Sequence, residues 1–277
     1  MEHNELLKLL RKERNFTQEK LAEGISHRNT LSSFENGGIK ISFTILLKYI
    51  KRLNISLEEY EFILNEKELE GKKKVSVELS KKYLNPFDIN FANEILDMYI
   101  DTKDFYYYSL YAQYYLVREY KGDALDKNEQ RKIAKKIINY LDKIQTWGRF
   151  ELVIFSNCLF LFEDKYIRFN FVESIQYMKI YLDSSNYSRD LQNFIINGLS
   201  LSYTRKNEAN IQLFLSELDK IISNSDDMQA KMVKNIFSLL LNHDQGIDNE
   251  NEKRRIVNTL ELLDEMEWVD YIEKVYT

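Results

Sequence analysis

Apolar residues recur every three to four positions along most of the chain, which is the period of one buried helix face. Leu6, Leu7 and Leu10 mark the first face, Leu21 and Ala22 the second, and Leu31 and Phe34 the third. A fourth opens after Ser42, with Phe43, Leu46, Leu47, Ile50 and Leu53 expected inside. Short polar residues punctuate these faces. Thr17, Ser26, Ser42 and Ser56 stand where a side-chain oxygen can cap the helix that follows, and Ser56-Leu-Glu-Glu59 has the capping-box pattern. Gly24 and Asn36-Gly37-Gly38 suit the turns after the second and third helices. The third helix is predicted over residues 27–35, capped by Ser26.

Residues 65–76 break the pattern with a highly charged run around Gly71. The expected organisation is therefore a five-helix domain over residues 1–65, a linker at 66–76, and a larger domain over 77–277. In the latter the helical period predicts helices at 90–99, 104–119, 127–143, 148–162, 169–182, 188–203, 208–223, 226–242, 251–266 and 268–275, with Asp226 as an N-cap. Pairs open near Lys127, Asn170, Glu208 and Asn251, steps of roughly 40 residues, slightly above the tetratricopeptide period. Such pairs stack into a superhelix with a concave inner face. The fold class expected is all-α.

Composition supports this picture. The 277 residues include one proline and eight glycines, and the hydrophobic share is 44%. Helices can run without breakers, and collagen or wholesale disorder is excluded. Cys158 is the one cysteine, so no intramolecular disulfide and no multi-cysteine zinc site can form. The start Met-Glu-His-Asn-Glu lacks a signal-peptide pattern, and no apolar run approaches the ~18 residues of a membrane span. The expectation is a reduced, cytoplasmic protein without membrane attachment. Net charge is -5, yet residues 1–65 carry ten Lys/Arg against nine Asp/Glu. Nucleic-acid binding would have to rest on a local face and not on bulk charge.

The first 65 residues hold the most specific chemistry. A short second helix, a tight turn and a short third helix are the helix-turn-helix arrangement. Thr17 and Gln18 at the start of the second helix are placed for a phosphate. His27, Arg28, Asn29, Ser32 and Ser33 form the outward set of the third, and Arg and Asn suit bidentate contact with guanine and adenine. Arg11, at the end of the first helix, joins the expected DNA-contacting set. Lys72, Lys73 and Lys74 read either as a solvated charge run or as backbone contacts. In the larger domain Asn157, Asn197 and Asn235 interrupt apolar stretches at steps of about 40 residues. Their amides suit either a peptide backbone or interhelical hydrogen bonds. Arg118 and Arg149 are candidates for a peptide carboxylate, and Tyr114 and Tyr203 for apolar side-chain pockets. No phosphate loop, nucleophile elbow or metal spacing is present, so no enzyme, metal or cofactor is expected. A helical scaffold for protein partners is the alternative to a DNA-binding regulator.

Residues 4–64 resemble the helix-turn-helix module of the Xre/Cro family, and more narrowly that of the Rgg/GadR/MutR regulators of Gram-positive bacteria. The likeness rests on Leu21-Ala-Glu-Gly-Ile-Ser26 and Leu31-Ser-Ser-Phe-Glu-Asn-Gly37. The span from Gln18 to Glu35 is one residue shorter than in the wider family, as in the Rgg version. Ser33 departs from it, since such sequences commonly carry Lys or Arg before the phenylalanine. The resemblance implies a transcription regulator with a tetratricopeptide-like C-terminal domain. It also implies a homodimer, double-stranded DNA as partner, a short quorum-sensing peptide as candidate ligand, and RNA polymerase as a further candidate partner.

Overall fold

A computed structural model describes residues 1–65, 71–120, 122, 125–180, 185–224 and 226–276, with side chains at 119, 177–180 and 185–188 left aside. The described residues form α-helices joined by turns, with no strand. They divide into two compact units, Met1–Pro86 and Phe87–Thr277.

The first unit contains α1 (His3–Glu13), α2 (Gln18–Ala22), α3 (Arg28–Glu35), α4 (Phe43–Arg52), α5 (Leu57–Leu64) and α6 (Gly71–Lys82). Leu6, Leu7, Leu10, Leu21, Ala22, Leu31, Tyr49, Ile50, Leu53 and Tyr60 are all but fully buried in one core. Burying a leucine of this kind stabilises by about 1.5–3 kcal/mol. The caps at Thr17 and Ser56 form, each side-chain oxygen accepting from a backbone N–H at 3.1 and 3.0 Å. Ser42 does the same at 3.4 Å.

Two local expectations are corrected here. Ser26 does not cap α3. The N-cap is His27, while the Ser26 hydroxyl meets the Tyr49 hydroxyl at 2.5 Å. Phe43 is 60% exposed, because α4 begins there and only the face through Leu46, Tyr49 and Ile50 meets the core. Of the charged run at 66–76, residues 66–70 lie outside the described residues and the rest opens α6.

The second unit runs α7 (Ile89–Thr102), α8 (Phe105–Tyr120), α9 (Lys127–Leu141), α10 (Arg149–Asn157), a 3₁₀ turn (Leu159–Leu161), α11 (Asp164–Ile180), α12 (Ser185–Thr204), α13 (Glu208–Asn224), α14 (Met228–Asp244), α15 (Glu250–Leu262) and α16 (Met266–Tyr276). Helices α8, α10, α12, α14 and α16 touch in succession, and all of them except α10 also pack on an odd-numbered neighbour. Ring contacts link α10, α11, α12 and α13. Phe155 meets Phe194 edge-on at 5.5 Å, and Phe171 lies 5.0 Å from Phe194 and 4.5 Å from Phe214. Each such pair contributes about 0.5–1.5 kcal/mol beyond its buried area. Gly198 sits where a Cβ would stand 2.3 Å from the Phe214 ring, so only glycine lets α12 and α13 pack this closely.

Boundaries differ from expectation where long-range contacts decide them. The helix predicted over 148–162 stops at Asn157 and tightens into the 3₁₀ turn. Helix α11 starts at Asp164, earlier than Phe169. Arg205 donates to the Asp164 carboxylate at 2.9 Å and Asn207 at 2.8 Å, anchoring that first turn to the end of α12. The N-cap of α14 is Asp227, which accepts from the Ala230 N–H at 2.8 Å, while Asp226 pairs with Lys231. The predicted connection at 183–186 lies partly outside the described residues, with 181–184 not described.

Candidate nucleic-acid interface and helical ligand surface

The turn between α2 and α3 is built from backbone outward. Gly24 takes φ +66, and the Ile25 and Ser26 N–H groups both donate to the Ala22 carbonyl at 2.9 Å. Arg52 of α4 donates to the carbonyls of Leu21 and Glu23, closing the C-terminal end of α2. On α3, Leu31, Phe34 and Glu35 are buried. His27, Arg28 and Asn29 are exposed at the first turn, with Ser32 and Ser33 half-buried one turn later. Of the expected outward set, the N-cap His27 and the first-turn residues Arg28 and Asn29 are thus exposed, while Ser32 and Ser33 are partly covered. Thr17 is exposed but its hydroxyl is occupied as the α2 cap.

Arg11 is the correction. Its guanidinium is not at the surface: Nε donates to Glu35 Oε1 at 2.5 Å, Nη2 to Glu35 Oε2 at 2.7 Å and Nη1 to the Phe16 carbonyl at 2.7 Å. Gln18 Nε2 donates to the same Glu35 carboxylate at 2.8 Å. Glu35 therefore ties α1, α2 and α3 together. Burial works against its charge, but the hydrogen bonds from Arg11 and Gln18 and the charges of Arg11 and Lys8 prevail. Together they hold its carboxyl below the usual glutamate value. Sequence inspection missed this network because nothing local links positions 24 residues apart.

In the second unit the three asparagines separate. Asn157 Nδ2 donates to Gln113 Oε1 at 2.7 Å, joining α10 to α8. Asn197 Nδ2 donates to the Ser156 carbonyl at 3.1 Å, joining α12 to α10. Both are half-buried, and Asn235 is exposed. A polar seam thus crosses three successive helices, including Gln113 and Ser156, to which nothing in the local sequence points.

Tyr114 does not line a surface pocket. It is fully buried, its hydroxyl accepts from the Asp88 N–H at 2.9 Å, and its ring packs on Phe87 and Phe91. Arg149 pairs with Asp190 at 2.5 Å, bridging α10 and α12. Arg118 is half-buried near the end of α8. Tyr203 is half-buried between Phe237 and Tyr271, and burial with a hydrogen bond to Asp244 raises its phenol.

A cleft of about 670 Å³ opens between the end of α9, the following loop and α11, lined in part by Leu141, Trp147, Tyr166, Phe169 and Asn170. None of the residues expected to meet a peptide lines it. Cys158 is fully buried, which pushes its thiol up to about 12. Among the described residues no group of three or more His, Cys, Asp and Glu could hold a metal ion. No helix there is long and apolar enough to cross a membrane.

Two family profiles match the chain. Residues 92–274 match the C-terminal domain of the HTH-type transcriptional regulator Rgg, and residues 7–60 match a helix-turn-helix profile. No curated protein sequence matches the chain. Among solved structures, a protein described as a transcriptional regulator from Listeria monocytogenes EGD-e is 21% identical, with a TM-score of 0.78 over 99% of this chain and 95% of that one. The SHP pheromone receptor Rgg2 of Streptococcus dysgalactiae is 17% identical, with a TM-score of 0.72 over 99% and 98%. A structure of a bacterial peptide pheromone/receptor complex is 20% identical, with a TM-score of 0.68 over 99% and 97%.

Proposed function

The chain belongs to the Rgg family of helix-turn-helix transcriptional regulators, and from that premise we propose that it acts as a homodimer on duplex DNA under control of a short peptide. The observation that carries the DNA reading is α3: Arg28 and Asn29 stand outward on its first turn while Leu31, Phe34 and Glu35 hold the other side in the core. An α-helix fits the major groove, and these two side chains suit guanine and adenine edges there. In a two-fold dimer the two α3 helices would engage successive major grooves ~34 Å apart. In this reading the unit Met1–Pro86, with the helix-turn-helix in residues 1–65, engages DNA, and Phe87–Thr277 regulates and dimerises. The work is done in the cytoplasm, where the DNA is.

The peptide reading is supported by the seam across α8, α10 and α12. Asn157 and Asn197 each use Nδ2 on a neighbouring helix, and each amide also carries an acceptor oxygen for a ligand N–H. A peptide lying along stacked helix pairs would bridge several of them. To switch the regulator it must bind two dimer arrangements with different affinity, because equal affinity shifts nothing.

The test is selection of bound duplexes from a random pool, followed by mobility-shift titration with the selected site. Wild type should bind that site and Arg28→Ala should lose about 1–3 kcal/mol of discrimination there. Equal binding and equal preference in Arg28→Ala would refute the assigned reading helix. A chain that selects no duplex while forming stable complexes with other proteins would support the scaffold alternative.

A further inference from the structure

Helix α6 falls between the two matched stretches, residues 7–60 and 92–274, so neither profile accounts for it. It belongs to the same compact unit as α2 and α3. Its sequence, Gly-Lys-Lys-Lys-Val-Ser-Val-Glu-Leu-Ser-Lys-Lys, holds five lysines against one glutamate. Val75 and Leu79 are buried at 6% and 5% exposure, which fixes how the helix is rotated. At about 100° per residue, Lys73, Lys81 and Lys74 then fall on the opposite side, flanking the exposed Val77. All three are exposed, and no ion pair engages them among the described residues.

The module that reads bases is short of cations. Helices α2 and α3 and their turn bring only Lys20 and Arg28, and Arg11 is withdrawn into the ion pair with Glu35. Proteins that bind duplexes well neutralise on the order of 6–10 phosphates, and that term supplies most of their sequence-independent affinity. Lysine is a compact point charge on a flexible stem, suited to phosphate and poorly suited to base edges. Lys73 and Lys81 lie eight residues apart, about 12 Å along the helix, a length over which a duplex presents several charges at one per ~1.7 Å of its axis.

We infer that α6 is a second DNA-binding element, a lysine face that grips the phosphate backbone beside the site read by α3 and adds affinity without adding sequence preference. The inference rests on the proposed DNA binding by α3, and the experiment separates the two.

Full-length wild type, the triple variant Lys73→Gln/Lys74→Gln/Lys81→Gln, and Arg28→Ala are titrated against two labelled duplexes, one selected and one of mixed sequence, at several salt concentrations. The substituted lysines are exposed, so the variant keeps the core intact. The triple variant should weaken binding to both duplexes alike, by tenfold or more at low salt. The slope of log affinity against log salt should fall by about 0.9 for each phosphate that is no longer neutralised, near 3 in all. Arg28→Ala should instead lose preference for the selected duplex with little change in slope. If wild type binds neither duplex at low salt, both readings fall. If wild type binds and the triple variant keeps its slope and affinity, α6 alone is overturned. A triple variant unchanged on both duplexes but released from phosphatidylserine-containing vesicles that hold wild type would assign the lysines to a lipid surface and likewise overturn the inference.

Discussion

Arg11 and Arg28 carry the same guanidinium into opposite surroundings. Arg28 meets water at the start of α3, and Arg11 is enclosed with Glu35. Breaking a buried ion pair by removing one partner leaves an uncompensated charge and costs about 3–5 kcal/mol. Arg11→Ala should therefore lower stability by about 3 kcal/mol in urea denaturation, whereas Lys20→Ala should leave it nearly unchanged. A loss below about 1 kcal/mol for Arg11→Ala would show that Glu35 is rehydrated. Glu35 also sets a pH dependence. Its folded value lies below the ordinary 4.5, so the pair contributes full stability above that value. The contribution disappears as pH falls from 4.5 through the lowered folded value. Glu35→Gln should be less stable than wild type at neutral pH and show a shallower loss across that acid window. A wild-type stability curve flat through that window would contradict the assignment. From the sequence, Arg28 and Asn29 were legible because helical periodicity separates the outward from the inward residues within eight positions. Arg11 was not, since its fate depends on a glutamate far along the chain.

At the level of helices, packing overrides local preference at Gly198. Within an exposed helix, alanine in place of glycine gains roughly 1 kcal/mol. Here the added methyl would fall against the Phe214 ring, and overpacking of this kind costs about 1–3 kcal/mol. Gly198→Ala should accordingly lower the melting temperature by a few degrees, and a rise would mean that Phe214 can swing aside. The same packing explains which predicted boundaries moved. Helix α11 reaches back to Asp164 because Arg205 and Asn207, brought round by α12, meet its carboxylate there. The caps at Thr17, Ser42 and Ser56 were foreseeable, because an N-cap involves residues three apart. The partners of Asn157 and Asn197 stood open between peptide and helix, and the fold gives their Nδ2 groups to neighbouring helices that lie 44 and 41 residues away.

For the whole molecule, regulation requires that binding in one unit change what the other does. Sedimentation at micromolar concentration should give twice the chain mass if the proposed homodimer forms, and a chain that stays monomeric with selected duplex would argue against paired α3 helices. A short-peptide library screened by thermal shift should contain sequences that raise the melting temperature. A ligand at one hundred times its Kd stabilises by about 2.7 kcal/mol. Asn197→Ala should weaken that shift, and an undiminished shift would move the peptide away from the seam. Legible without any tertiary information were the helical class, most helices, the caps at Thr17, Ser42 and Ser56 and the helix-turn-helix, because all of these depend on residues within one or two turns of each other. What only the tertiary structure decided was which polar side chains remain outward. Arg11, Gln18 and Tyr114 were drawn into hydrogen bonds and Phe43 left in solvent, since desolvation is settled by neighbours that folding brings from distant parts of the chain.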